Sequence, residues 1–170
     1  MKIKEIDSLQ LCYEEDVDGI MFVKLQGYID TYNSHAFLLE VLNSVVQKGF
    51  YKLIFECSAL TFVSSTGIGT FVEILKYVRE KGGGIAFYSL YPKIEEIFQL
   101  LGFNQFFLIG RNKKEAVEKL NNKISKNLIG NKETECPVCG KPITLTRPGR
   151  FRCTNCKSII NVNDDLVISL

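Results

Sequence analysis

The 170-residue chain has a single histidine, no Gly-Lys-Ser/Thr phosphate loop and no continuous apolar run that could cross a bilayer. Each shortage removes a class of function. A membrane-spanning helix needs about 20 consecutive, mostly apolar residues, and no stretch approaches that. Met1-Lys-Ile-Lys-Glu-Ile-Asp-Ser8 scatters charge where an export signal would carry an apolar segment. A soluble, cytoplasmic protein without a membrane contact is expected. His35 has no acid or second histidine at the spacing that would make it an activating base, so it is expected to face solvent in the first turn of a helix. Gly82-Gly-Gly84 follows a helical pattern and reads as a helix end and turn. A carboxylate pair, a catalytic triad, an open metal site and a nucleotide loop are all missing, so the chain reads as a binding protein and not an enzyme. No internal repeat or low-complexity tract stands out.

What is present divides in two. Apolar residues make up 46% of the chain, enough for a globular core. The net charge of +2 hides an asymmetry: residues 1–120 carry 13 basic and 15 acidic side chains, and residues 121–170 carry 8 and 4. Different partners for the two parts are expected. Of the 6 cysteines, Cys136, Cys139, Cys153 and Cys156 fall close together, whereas Cys12 and Cys57 stand alone in strand-like segments and read as packed thiols. Two matched pairs and two lone thiols suit a reducing compartment and a metal better than a disulfide framework.

In the first part, alternation predicts strands over 9–13 and 20–25, joined as a hairpin by a polar turn ending at Gly19. Helical spacing follows over 36–47, where Ser34 offers a cap and Phe37, Leu38, Val41, Leu42 and Val45 share a face. Then come a strand over 51–57, a helix over 67–80, a strand over 85–88, a helix from Pro92 to Leu101, a strand over 106–109 and a helix over 113–120. Five strands alternating with four helices predict an α/β fold with some parallel pairing. Residues 123–134 are polar and read as a linker.

The last part, 135–170, has too few strands for a hydrophobic core of its own. Cys136-Pro-Val-Cys139 and Cys153-Thr-Asn-Cys156 are two Cys-x₂-Cys knuckles separated by 13 residues. Four thiolates around one tetrahedral zinc would hold such a segment, and a closed four-sulfur site is structural and not catalytic. Ile143 to Thr146 and Arg150 to Cys153, joined through Pro148-Gly149, read as a hairpin. The whole resembles a zinc ribbon. Lys141, Arg147, Arg150, Arg152 and Lys157 lie in or beside it, with Phe151 as a stacking aromatic, which raises nucleic acid as a partner. The four thiolates and one divalent ion, however, remove two of the positive charges.

The segment Leu53-Ile-Phe-Glu-Cys-Ser-Ala-Leu-Thr-Phe-Val-Ser-Ser-Thr-Gly-Ile-Gly-Thr-Phe-Val-Glu-Ile-Leu75 carries most of the functional signal. An apolar strand runs into three hydroxyls, two glycines and an amphipathic helix. A helix start has free N–H donors and the positive end of the macrodipole, so a phosphate there is stabilised locally. Gly67 and Gly69 keep the turn open. A plain N-cap at Ser64 or Ser65 explains the same residues without regulation.

Together with Gly27-Tyr-Ile-Asp30, Gly82-Gly-Gly-Ile-Ala-Phe-Tyr-Ser89 and Glu96-Ile-Phe-Gln-Leu-Leu-Gly-Phe103, this segment resembles the sulfate-transporter and anti-sigma-factor-antagonist (STAS) domain family, over about residues 1–122. The resemblance implies a mixed sheet of about five strands with about four helices. It implies that the first serine of the family's acid-Ser-Ser-Gly-Leu-Gly motif, phosphorylated there by a kinase that is also the anti-sigma factor, falls on Ser65. The aspartate before it falls on Ser64 and the following serine on Thr66, so both remain alternative acceptors. Asp30 matches the family's Gly-x-Ile/Leu-Asp pattern near the partner-binding face, and is otherwise an Asx turn. The resulting expectation is an antagonist-like protein that binds an anti-sigma factor or serine kinase, and a phosphatase, through Asp30, Ser64, Ser65, Thr66, Gly67 and Gly69. It leaves room for a homodimer. The alternative is a nucleic-acid adaptor whose ribbon recognises and whose α/β domain dimerises or senses.

Overall fold

The computed structural model describes residues 2–103, 106–128, 132–145, 149–162 and 168–169, in two compact units, 1–122 and 123–170. The first unit is built on a six-stranded sheet in the order β1 (Lys2–Ile6), β2 (Leu9–Glu15), β3 (Ile20–Ile29), β4 (Lys52–Val63), β5 (Gly84–Tyr88) and β6 (Leu108–Gly110). β1, β2 and β3 are antiparallel neighbours; from β3 onward every pairing is parallel. The parallel pairings follow from the crossovers α1 (Ser34–Ser44), α2 (Ser65–Glu80) and α3 (Pro92–Leu100), because a strand returning in parallel needs a helix-length connection. α4 (Lys113–Leu128) closes the order. The expected α/β mixed sheet with four helices is therefore what forms, with β1 as a sixth strand on the edge. Its side chains are mostly exposed, so no buried periodicity marked it.

The main core lies between one sheet face and α1, α2 and α3. Odd-numbered residues Val23 and Leu25 of β3, Leu53 and Phe55 of β4 and Phe87 of β5 point into it. Phenylalanines fill it as a connected cluster: Phe55 and Phe71 ring centroids are 5.1 Å apart, Phe71 and Phe87 5.0 Å, Phe37 and Phe71 5.3 Å, and Phe87 and Phe98 5.6 Å. Even-numbered Phe22, Ile54 and Ala86, on the other face, are also buried, as are Ala116 and Leu120 of α4. α4 lies on this face: Lys113 Nζ stands 3.8 Å from the Phe22 ring centroid.

Several helix limits move. Asn33, and not Ser34, precedes α1, while Ser34 is buried and its hydroxyl donates to the Thr31 carbonyl. α2 begins at Ser65 and not at Gly67, because Ser64 supplies the cap. α4 runs to Leu128, so helix occupies the first half of the segment read as linker, and β7 (Lys132–Glu135) its last part.

The second unit holds β7, β8 (Pro142–Leu145), β9 (Gly149–Arg152), β10 (Ile159–Val162) and β11 (Ile168–Ser169). Among the described residues, the strands expected to pair as one hairpin, 143–146 with 150–153, pair elsewhere. β8 pairs with β7, β9 with β10, and β10 with β11. The reason is local: each Cys-x₂-Cys knuckle is itself the turn of a hairpin, so each strand pairs across its own knuckle. Pro148, expected in a turn, and Arg147 lie outside the described residues.

Candidate functional site

Two loops meet at the carboxyl ends of β3 and β4. In the first, Asp30 Oδ1 accepts from the N–H groups of Tyr32 (2.8 Å) and Asn33 (3.0 Å). Asn33 returns the contact: its side-chain oxygen accepts from the Asp30 N–H (2.9 Å) and its amide donates to the Tyr28 carbonyl (2.9 Å). Asp30 thus makes an Asx turn locked by a buried Asn33, and this is what a short carboxylate after a strand does best. In the second loop, the Ser64 N–H donates to the Ile29 carbonyl (2.8 Å), and its side chain accepts from the Gly67 N–H (3.1 Å). Ser64 is the N-cap of α2. Thr31 and Thr66 join the loops, with hydroxyl oxygens 3.5 Å apart.

The cap assignment separates the three hydroxyls. Ser64 is half-buried and occupied; Thr66 is exposed and shared with Thr31; Ser65 is exposed, at the first helical position, with no side-chain hydrogen bond among the described residues. The N–H groups of the first turn that no cap takes lie beside it. The glycines also separate. A Cβ on Gly67 would stand 2.6 Å from Ile29 Cγ2 and 3.0 Å from Val63 Cγ1, so only glycine lets α2 start against β3. A Cβ on Gly69 would meet nothing within 4 Å, so the turn does not require that glycine. Gly27 is required too: at φ +108 its Cβ would fall 1.9 Å from the Ser8 carbonyl oxygen.

Three aromatics frame the loops and were not singled out from the sequence. Tyr32 is 91% exposed, Phe62 51% and Tyr28 38%, and Tyr28 faces Phe62 across the β3–β4 register. Tyr28 and Phe62, as strand aromatics, read as core, but β2 pairs with β3 no further than Gly27 and β5 with β4 no further than Glu56, so both overhang into solvent, while Tyr32 lies in the turn after β3. Residues 57–72 carry no charge and residues 26–38 only Asp30 and His35, so the face is close to neutral. His35 is exposed; Cys57 is fully buried and half-buried Cys12 lies on β2. Burial, then the Glu56 charge, drive the Cys57 thiol far above its usual range, so it stays an inert thiol.

In the second unit the sulfurs of Cys136, Cys139, Cys153 and Cys156 all lie within 4.8 Å of one another, and the Cys136–Cys156 and Cys139–Cys153 separations are both 3.8 Å. Metal–sulfur bonds of about 2.3 Å place tetrahedral ligand sulfurs about 3.8 Å apart. The four thiols fit a tetrahedral ion and are too far apart for disulfides. The two knuckles repeat each other bond for bond. Gly140 N–H donates to the Cys136 carbonyl and Lys157 N–H to that of Cys153; Cys136 N–H donates to the Lys141 carbonyl and Cys153 N–H to that of Ser158. Gly140 and Lys157 share a left-handed backbone, φ +68 and +64. Donors already surround the outer sulfurs. The Lys141 N–H and the Asn155 amide lower the Cys139 thiol, and the Ser158 hydroxyl and N–H lower Cys156 to about 6. Cys139 and Cys156 therefore favour the thiolate that a metal needs, whereas the Cys136 thiol is raised to about 11.

Known families now bear on this geometry. The model of the STAS domain matches residues 15–116, more than half of the chain. The chain belongs to the STAS domain family. Similar proteins include BtrV of Bordetella bronchiseptica, named as a candidate anti-sigma factor antagonist, 26% identical over 102 residues that make up 60% of this chain and 87% of that one. The anti-sigma F factor antagonist of Paenibacillus polymyxa is 22% identical over 60% of this chain and 87% of its own. Among solved structures, TM1081 of Thermotoga maritima, a candidate anti-sigma factor antagonist, aligns at a TM-score of 0.59 and 25% identity over 65% of this chain and 94% of its own. Residues 134–169 match a domain of unknown function, DUF8512. The loops described above are thus on the STAS domain, and the cysteine cluster lies in a separately recognised module. No helix among the described residues is long and apolar enough to cross a membrane.

Proposed function

We propose that this protein is a regulator of the anti-sigma-factor-antagonist kind, which docks an anti-sigma factor or serine kinase through the Asp30 turn and the start of α2 and releases it when Ser65 is phosphorylated. The observation that carries the reading is the division of labour at the helix start: Ser64 caps, leaving the Ser65 hydroxyl exposed and uncommitted. A phosphate there would meet the free N–H groups of the first turn and bring about −1.5 to −2 charges to a nearly neutral face. The exposed Tyr28, Tyr32 and Phe62 supply the apolar contact area such a partner uses. SpoIIAA, an anti-sigma factor antagonist with this fold at 16% identity, has structures in unphosphorylated and phosphorylated forms. A pull-down of wild-type against Ser65→Asp protein, read by mass spectrometry and accompanied by phosphosite mapping, tests the reading. Equal recovery of every partner by both proteins, with no phosphate on Ser64, Ser65 or Thr66 in cells, sinks it.

We infer that the ion held by the four cysteines is zinc and that its role is structural, since four protein sulfurs leave no coordination position for substrate. On this reading residues 1–122 and 135–170 are separate domains. Elemental analysis of protein purified under reducing conditions should find one zinc per chain; finding none rejects the zinc assignment. The rival reading, a nucleic-acid adaptor, rests on the exposed Arg150, Arg152 and Lys157, and salt-sensitive retention on DNA or RNA would favour it.

A further inference from the structure

The repeat within the second unit sets residues of opposite charge at equivalent places. Counting from the first cysteine of each knuckle, Glu133 corresponds to Arg150, Glu135 to Arg152, Pro142 to Ile159 and Thr144 to Asn161. Each set forms one outer hairpin face. Glu133 stands opposite Thr144 and Glu135 opposite Pro142, as Arg150 stands opposite Asn161 and Arg152 opposite Ile159. All eight residues are exposed, while the intervening positions turn inward, with Leu145, Ile160 and Val162 buried. Among the described residues none of the four charges belongs to an ion pair. Two like-charged side chains two residues apart, about 7 Å along a strand, are thus repeated on the second hairpin with the sign reversed.

We propose that this surface binds a second copy of the same chain, the Glu133/Glu135 face of one copy seating on the Arg150/Arg152 face of the next, with Pro142 against Ile159. Charge complementarity selects this occupant. A nucleic acid would use only the basic face and be repelled by the acidic one, whereas another copy of the chain satisfies both faces at once. The contact is heterologous, each copy offering one face and keeping the other free, so it leads to short chains or a ring. Few and exposed charge pairs make it weak and strongly salt-dependent.

The proposal rests on the zinc reading only in that the metal holds the hairpins, and zinc is therefore counted on every sample. Sedimentation of the reduced full-length protein should show a mean mass that rises with concentration at about 20 mM salt and stays monomeric at about 0.5 M salt, where the Debye length falls well below 10 Å. Glu133→Lys/Glu135→Lys and Arg150→Glu/Arg152→Glu should each weaken association about tenfold or more, since attraction is replaced by repulsion. An equimolar mixture of the two variants should associate at least as well as wild type. Glu96→Lys/Glu118→Lys, which changes net charge equally on the first unit, should leave association intact. A zinc-loaded wild type that remains monomeric at low salt and high concentration overturns the proposal, as does a mixture that fails to recover. A wild-type chain that associates in this charge-dependent way without zinc keeps the proposal and rejects the metal reading instead. Retention on single-stranded DNA that Arg150→Glu/Arg152→Glu abolishes, with self-association unchanged, assigns the basic face to nucleic acid and also overturns it.

Discussion

The two units of this chain stay folded by different means, and the difference predicts what each can tolerate. In residues 1–122 two layers of buried side chains sandwich the sheet, and the connected phenylalanines Phe37, Phe55, Phe71, Phe87 and Phe98 alone link three helices to two strands. Stability there is spread over many contacts. Among the described residues of 123–170, the cluster around the cysteines has only Leu145, Ile160 and Val162 as buried aliphatic residues. A unit of fewer than about 50 residues with so little apolar burial needs a staple. On the zinc reading the staple is an ion held by the four sulfurs, so stability there is concentrated on one site. On that reading the first unit can spare individual surface residues, while the second can spare none of its four clustered cysteines.

Removing a ligand should break this contrast most visibly. In the zinc reading, apparent binding free energies of about 10–16 kcal/mol are coupled to folding in comparable sites. Cys153→Ser should therefore abolish zinc retention and the dispersed amide signals of residues 132–162, while the thermal transition of the STAS domain persists. Simultaneous loss of that transition would show that the two units are not independent. The converse test is Phe55→Ala. Its ring touches those of Phe37, Phe71 and Phe87, and truncating it should cost about 3–5 kcal/mol in denaturant titrations. Zinc content should remain one per chain. A drop in metal content would again join what the contrast separates.

The same contrast explains what was legible in the sequence. Element types in the first unit follow from periodicity, because buried positions recur at 2 and 3.6 residues. β1 escaped, since Lys2, Ile3, Lys4 and Glu5 are all exposed on an edge. The cysteine spacing revealed the four-sulfur cluster, but the Pro148-Gly149 pair misdirected the strand pairing. Pro148-Gly149 is a strong turn signal in sequence, but the described strands pair across the knuckles, with left-handed backbone at Gly140 and, against expectation for a lysine, at Lys157. The internal repeat was hidden because only the cysteines and the Ile143/Ile160 positions share residue type between the halves, and the charges are reversed. On the STAS domain the motifs pointed to the two loops that come together at Thr31 and Thr66, but which serine caps α2 depends on one hydrogen bond that no spacing reveals.

A smaller effect sharpens the glycine assignment. Alanine at Gly67 gains intrinsic helix propensity of about 1 kcal/mol but drives Cβ into Ile29 and Val63, and the resulting displacement should leave the domain about 1–3 kcal/mol less stable. Alanine at Gly69 gains the same propensity with no clash and should be neutral or stabilising by up to about 1 kcal/mol. Chemical denaturation of the two variants should give opposite signs. If both destabilise equally, α2 does not begin against β3 as described.

The finest comparison lies between two adjacent serines. Ser64→Ala removes the acceptor for the Gly67 N–H and should cost about 1 kcal/mol. Ser65→Ala removes an exposed hydroxyl that bonds to nothing among the described residues, so stability should change by less than about 0.5 kcal/mol. Ser65→Asp places negative charge at the first turn, where the helix dipole favours it by about 0.3–1 kcal/mol, so the fold should be unchanged or slightly more stable. Binding should sort the same variants differently. In the phospho-switch reading Ser65→Ala keeps the partner, because the face stays neutral, while Ser65→Asp loses it despite an intact fold. A residue that merely capped could not lose its partner while gaining stability. If Ser65→Ala proves as destabilising as Ser64→Ala, both serines are structural, and the exposed hydroxyl is no longer available as the site where a signal is written.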